Sequence, residues 1–181
     1  SGQGTPLLMF NGGPGCDDYL APVASMIDDL CHVIRFEPRG CGRSDWDGNY
    51  DLETLIADAD TVRQEYGVER LIVAGHSAGP TLALFYALRH PTVVLGLIGI
   101  AGGNIVNDRN WSSAYHKGLA EVGEDHGGIE FTADPRVNPE GNESGRSYVT
   151  RPRLLREIAD LDVPAVFING GRDIRPNWPT Q

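Results

Sequence analysis

A serine flanked by glycines, Gly75-His76-Ser77-Ala78-Gly79, follows the apolar run at 71–74 and opens a second apolar run at 81–88. The order is strand, sharp turn, helix, the pattern of a nucleophile elbow. In so tight a turn the neighbours of the nucleophile need almost no side chain, which explains the glycines. The Ser77 hydroxyl is then presented at a helix N-terminus, where free backbone N–H groups can hold a developing oxyanion. The chemistry this arrangement serves is attack on a carbonyl carbon.

Two further motifs follow strand-like runs. Asn11-Gly12-Gly13-Pro14-Gly15 comes after the first apolar run, at 7–10. In a fold built around such an elbow, the loop after this strand supplies the second oxyanion donor. The N–H groups of Gly13 and Ala78 are the candidate pair. Asn169-Gly170-Gly171-Arg172-Asp173 follows the run at 165–168. A carboxylate just past a strand's C-terminal end shares a sheet edge with Ser77, and Asp173 there can orient a histidine and stabilise its protonated form. A third Gly-rich loop, 37–44, reads as architectural. Its Cys41 has no evident basic partner to make it a nucleophile.

The elements that must carry these loops are legible as an alternation of short apolar runs and helix-period segments, the mark of a parallel α/β sheet. Strands are expected at 7–10, 32–36, 71–74, 93–100 and 165–168, apolar throughout as strands buried on both faces should be. Helices are expected at 19–30, 52–66, 78–89 and 153–159. Asp51 is placed to cap the second of these, and Gly67 sits where a C′ glycine belongs. Residues 103–150 are rich in Gly, Asn, Asp and Glu and break the rhythm. They read as a cap or lid inserted between the core segments 1–102 and 151–181, with a long disordered loop as the alternative.

Composition narrows the function class. The 181 residues suit one domain with a sizeable core. A formal charge of −10 argues against a nucleic-acid partner, and no apolar run is long enough to span a bilayer. Three cysteines without close pairing read as reduced thiols in a cytoplasmic protein. No Cys/His cluster has metal-ligand spacing. Oligomeric state is left open.

Taken together, the motifs resemble the α/β-hydrolase fold, and more narrowly its proline iminopeptidase-like branch. That branch carries His-Gly-Gly-Pro-Gly, Arg-Gly-x-Gly-x-Ser, Gly-x-Ser-x-Gly and Gly-x-x-Asp in order. Here they stand at 11–15, 39–44, 75–79 and 170–173. The resemblance implies a serine hydrolase of a small-molecule ester or amide. It makes Ser77 the nucleophile and Asp173 the acid, and calls for no metal or organic cofactor. Asn11 replaces the family's histidine, a structural position. Ala78 stands where true prolyl iminopeptidases carry tryptophan. The family's helical cap supplies glutamates for the substrate amine, whereas Glu121, Glu124, Glu130, Glu140 and Glu143 read here as a solvated surface.

The triad order of this fold is serine, acid, histidine, and no histidine follows Asp173. His32, His76, His90, His116 and His126 are poorly placed by their elements. The expectation is a longer natural chain, extended at both ends, with the histidine beyond Gln181. The alternative is a non-catalytic ligand-binding or sensor domain on the same fold.

Overall fold

A computed structural model describes residues 1–102, 111–123, 128–149 and 153–171. Five strands form one sheet: β1 (Thr5–Phe10), β2 (Cys31–Arg35), β3 (Leu71–His76), β4 (Val94–Ile100) and β5 (Ala165–Ile168). Their order is β2-β1-β3-β4-β5, and every pairing is parallel. The chain leaves β1 for one side of the sheet and then returns to add β3 on the other. The switch point therefore lies between β1 and β3, where open α/β sheets place their ligands.

Helices cover both faces. Alternation along β1 sends Leu7 and Met9 to one side and Leu8 and Phe10 to the other. Leu7 and Met9 pack with Leu20 and Ala24 from around α1 (Ala21–Ser25). Leu8 and Phe10 join the larger core under α2 (Leu52–Glu65), α3 (Gly79–Arg89) and α6 (Leu154–Ala159). The α1 segment is shorter than the 19–30 helix expected. Asp18 Oδ1 accepts from the N–H of Leu20, Pro22 sits in the first turn, and turns replace helix over 26–30.

The α2 start is as expected. Asp51 is extended and its side chain accepts from the N–H of Thr54 at 2.8 Å, and Gly67 has φ +64° just past the end. α3 begins at Gly79, one residue late, because Ala78 is its N-cap. The strand β5 departs from the doubly buried expectation. β4 alone pairs with it among the described residues, and Val166 and Ile168 are both more than half exposed.

The α2–α3 seam holds a half-buried polar cluster. Tyr86 Oη and Arg63 Nε donate to Asp60 Oδ1 at 2.8 and 2.7 Å, and Gln64 Nε2 donates to Oδ2 at 2.6 Å. Burial alone would raise the Asp60 carboxyl, but these hydrogen bonds outweigh it and hold the group at about 2, below the ordinary 3.8. A carboxyl lowered on folding stabilises the protein above its unfolded value, and that contribution is lost as pH falls from about 4 to 2. The shift corresponds to about 2 kcal/mol. Asp60→Asn should flatten the acid limb of a denaturation-versus-pH profile in that window.

The 103–150 segment is partly helical: α4 (Trp111–Val122) and α5 (Val137–Val149) lie within it. α5 is anchored to the core. Leu52 N donates to Ser144 Oγ at 2.8 Å, and Tyr50 N donates to Glu140 Oε1 at 3.1 Å. Glu140 is thus a structural acceptor rather than free surface.

Candidate active site

Register brings the motifs together. Phe10 stands opposite Gly75 across the β1–β3 pair, so the loop at 11–15 and the turn at 76–78 emerge side by side. On the other flank Ile100 faces His76, and the carbonyl of Ile100 accepts from the N–H of Ser77 at 3.0 Å.

Ser77 adopts φ +60°, a left-handed conformation that costs an L-residue on the order of 1–3 kcal/mol. Close approach on every side holds it there. A Cβ on Gly75 would overlap the backbone of Gly79 and Pro80, and one on Gly79 would overlap the carbonyl of Phe10. These are the contacts that demand glycine on both sides of the serine. Gly102 is a third such position. It packs so closely on the carbonyl of Ser77 that a Cβ would overlap it. Its neighbour Ala101 also has positive φ, +49°. The Ala101-Gly102 turn was not read from sequence; two adjacent glycines closing an apolar strand were the available signal.

The loop at 11–15 is equally tight. Gly13 has φ +117°, and a Cβ there would meet Cys16 N at 2.8 Å. Asn11 is buried and its Nδ2 donates to the carbonyl of Phe36 at 3.2 Å, tying the loop to the end of β2. Gly13, Ser77 and Ala78 are each half-buried. Among the described residues, no hydrogen bond engages Ser77 Oγ or the N–H of Gly13 or Ala78. α3 has no side-chain cap, so its first N–H groups are not occupied by one.

Residues 133–138 pack on the far side of this loop. Asn138 Nδ2 donates to the carbonyl of Pro14 at 2.8 Å, and Asp134 N donates to the carbonyl of Gly15 at 2.9 Å. Cys16 bridges to Ala133 in antiparallel fashion. Asp134 itself accepts from Arg136 and from the N–H groups of Arg136 and Val137, which hold its carboxyl at about 2. The contacts that Ala133, Asp134 and Asn138 make with residues 14–16 were invisible in the sequence because they join residues over 100 positions apart.

The remaining titratable groups sort as follows. Burial pushes the Cys41 thiol up to about 12 and the Cys16 thiol up to about 11, so both are protonated thiols near neutrality rather than nucleophiles. In the 37–44 loop, Arg39 pairs with Asp58 and Asp47, and Ser44 Oγ donates to the carbonyl of Glu37. His76 Nδ1 lies 2.7 Å from Tyr19 Oη. The His32 ring packs tilted against Tyr66, and the His90 ring against Tyr86. His116 is exposed on α4. Asp173 and His126 lie outside the described residues. Asn169 to Gly171 leave β5 at the same sheet edge as the elbow, since Ile168 pairs with Ile100.

Residues 5–127 match the family model described as alpha/beta hydrolase fold. The chain is 32% identical over 106 residues to a proline iminopeptidase of Saccharolobus solfataricus, covering 56% of this chain and 34% of that protein. It is 38% identical over 105 residues to a proline iminopeptidase of Xylella fastidiosa, covering 54% and 33%. The matched segment thus spans about a third of each relative. Among solved structures, a thermophilic esterase from Thermogutta terrifontis superposes with a TM-score of 0.72 at 16% identity, covering 94% of this chain and 72% of that one. A carboxylesterase of Nitrososphaera gargenis gives 0.63 at 17% identity, covering 94% and 74%. A parallel sheet with its glycine-walled serine at the switch point therefore has its counterpart in a known family: the chain belongs to the α/β-hydrolase fold family, and proline iminopeptidases are among the sequence relatives it matches there.

Proposed function

We propose that this chain carries the nucleophile and oxyanion hole of a serine hydrolase acting on a small-molecule ester or amide. Ser77 Oγ attacks the carbonyl carbon. The N–H groups of Gly13 and Ala78 receive the oxyanion, each worth roughly 3–4 kcal/mol in comparable sites. Asp173 orients a histidine, expected beyond Gln181, that takes the serine proton and returns it to the leaving group. No metal or organic cofactor enters this scheme. Residues 1–102 and 151–181 form the hydrolase core and 103–150 the cap.

The observation that supports the reading best is the left-handed Ser77 at the β3–α3 turn. Strain of this kind persists only where surrounding structure over-determines it, and it clusters at sites of function. The net charge of −10 favours a small substrate over nucleic acid. Among the described residues, no helix is long and apolar enough to cross a membrane. Three unpaired cysteines support a cytoplasmic setting.

The relatives favour a narrower second reading, release of an N-terminal proline. Assay of the intact protein with p-nitrophenyl acetate and with proline p-nitroanilide separates the two. Ester turnover without anilide turnover supports the esterase reading, and efficient anilide cleavage supports the iminopeptidase. Inactivity on both, alongside reversible binding of either, returns the protein to the ligand-binding alternative.

A further inference from the structure

Tyr19 joins three parts of the site that are remote in sequence. The N–H of Gly12, in the loop after β1, donates to Tyr19 Oη at 2.8 Å. The same hydroxyl lies 2.7 Å from His76 Nδ1, in the turn after β3, with the donor set by the imidazole tautomer. Its ring packs against His76, centroids 5.6 Å apart, and against Phe131 of the cap segment at 5.3 Å. The loop and the elbow meet at Gly12, where an added Cβ would lie 2.5 Å from Tyr19 Oη and 2.9 Å from Ser77 Cβ. Tyr19 is half-buried, so these hydrogen bonds are partly shielded from competing water.

We infer that Tyr19 is a positioning residue, which through its hydroxyl and His76 fixes the distance between the oxyanion loop and the nucleophile turn. The inference rests on the serine-hydrolase reading above. The two proposed donors come from different segments: Gly13 follows β1, and Ala78 follows β3. Sheet pairing sets their separation only as far as Phe10 and Gly75. Beyond that point the chain Gly12 N–H, Tyr19 Oη, His76 Nδ1 is a hydrogen-bonded bridge between the two loops. A tyrosine hydroxyl can accept one hydrogen bond while engaging in another, so it serves both partners at once. Loss of the hydroxyl leaves both loops folded and frees their relative placement, and small misplacements of reacting groups cost rate rather than binding.

The test is a double-mutant cycle read by phosphonylation of Ser77 with a fluorophosphonate. In that step the Ser77 Oγ–P bond forms, the P–F bond breaks, fluoride leaves, and the hydroxyl proton passes to base. Tyr19→Phe keeps the ring and its packing. It should lower the limiting inactivation rate about tenfold or more, with the probe's half-saturating concentration within about twofold and the melting temperature nearly unchanged. His76→Leu should slow the step comparably. His76→Asn, whose amide can stand in for Nδ1, should recover most of the rate. The double variant Tyr19→Phe/His76→Leu should be no slower than the slower single one, because both remove one bridge.

Labelled wild type with an unchanged rate in Tyr19→Phe, multiplicative losses in the double variant, or a His76→Asn variant as slow as His76→Leu would each overturn the inference alone. A wild-type protein that never labels would instead overturn the serine-hydrolase reading on which it stands.

Discussion

Ser77→Ala is expected to lower turnover by about 10⁴-fold or more, since loss of a triad nucleophile removes the covalent route and leaves only binding and oxyanion stabilisation. The fold should survive. Alanine keeps the left-handed backbone that the elbow imposes, and the methyl group occupies space the serine already filled. Ser77→Gly separates the two roles of this position more sharply. Glycine populates positive φ freely, so that variant should be as inactive as Ser77→Ala and about 1 kcal/mol more stable than wild type. Thermal melts of the three proteins, run beside ester and anilide assays, check both halves. Residual activity in Ser77→Ala near the wild-type level would remove Ser77 from the mechanism.

Gly75→Ala should destabilise the protein by about 3 kcal/mol or more, among the largest effects of any single methyl group here. The added Cβ meets backbone atoms of Gly79 and Pro80, which cannot swing aside as a flexible side chain could. Relief would require α3 to move away from β3, opening the core around Ala83 and Phe85. Gly145→Ala is the matched control. It lies within α5, its added Cβ meets open space, and its φ is not in the left-handed region. That change should stabilise the protein by about 0.5–1 kcal/mol. Urea midpoints of the two variants should therefore move in opposite directions.

The parts of the fold that were legible in the sequence are those where local chemistry and tertiary structure agree. The β3–α3 unit announces itself by an apolar run, a glycine-flanked serine and a second apolar run, and each is needed where it stands. α2 carries its own cap in Asp51 and its own stop in Gly67. α5 shows the opposite case. Pro139, Gly141, Asn142 and Gly145 are poor helix formers, and the segment reads as part of an inserted cap with no helix marked in it. Asp134 caps its start locally, accepting from the N–H groups of Arg136 and Val137, but tertiary contacts decide the rest: Val137 is fully buried against Gly15, and Ser144 accepts from the N–H of Leu52. No local pattern encodes such pairings.

The candidate site divides in the same way. Ser77, Ala78 and Gly13 were named from motifs and stand together at the switch point. Tyr19, Ala101 and Gly102 were not. Tyr19 sits in the expected α1 region, where an aromatic residue reads as core. Only the tertiary fold brings its hydroxyl between Gly12 and His76. Ala101 and Gly102 matter through backbone geometry, which residue type signals weakly. Asp173 lies outside the described residues, and its place in the triad is part of the proposal.

The most direct test of the central claim is to treat the intact protein with a fluorophosphonate and map the adduct by peptide mass spectrometry. The account predicts a single stoichiometric phosphonate on Ser77, absent from Ser77→Ala. A folded wild-type protein that stays unlabelled, or that carries its adduct on another residue, would contradict it.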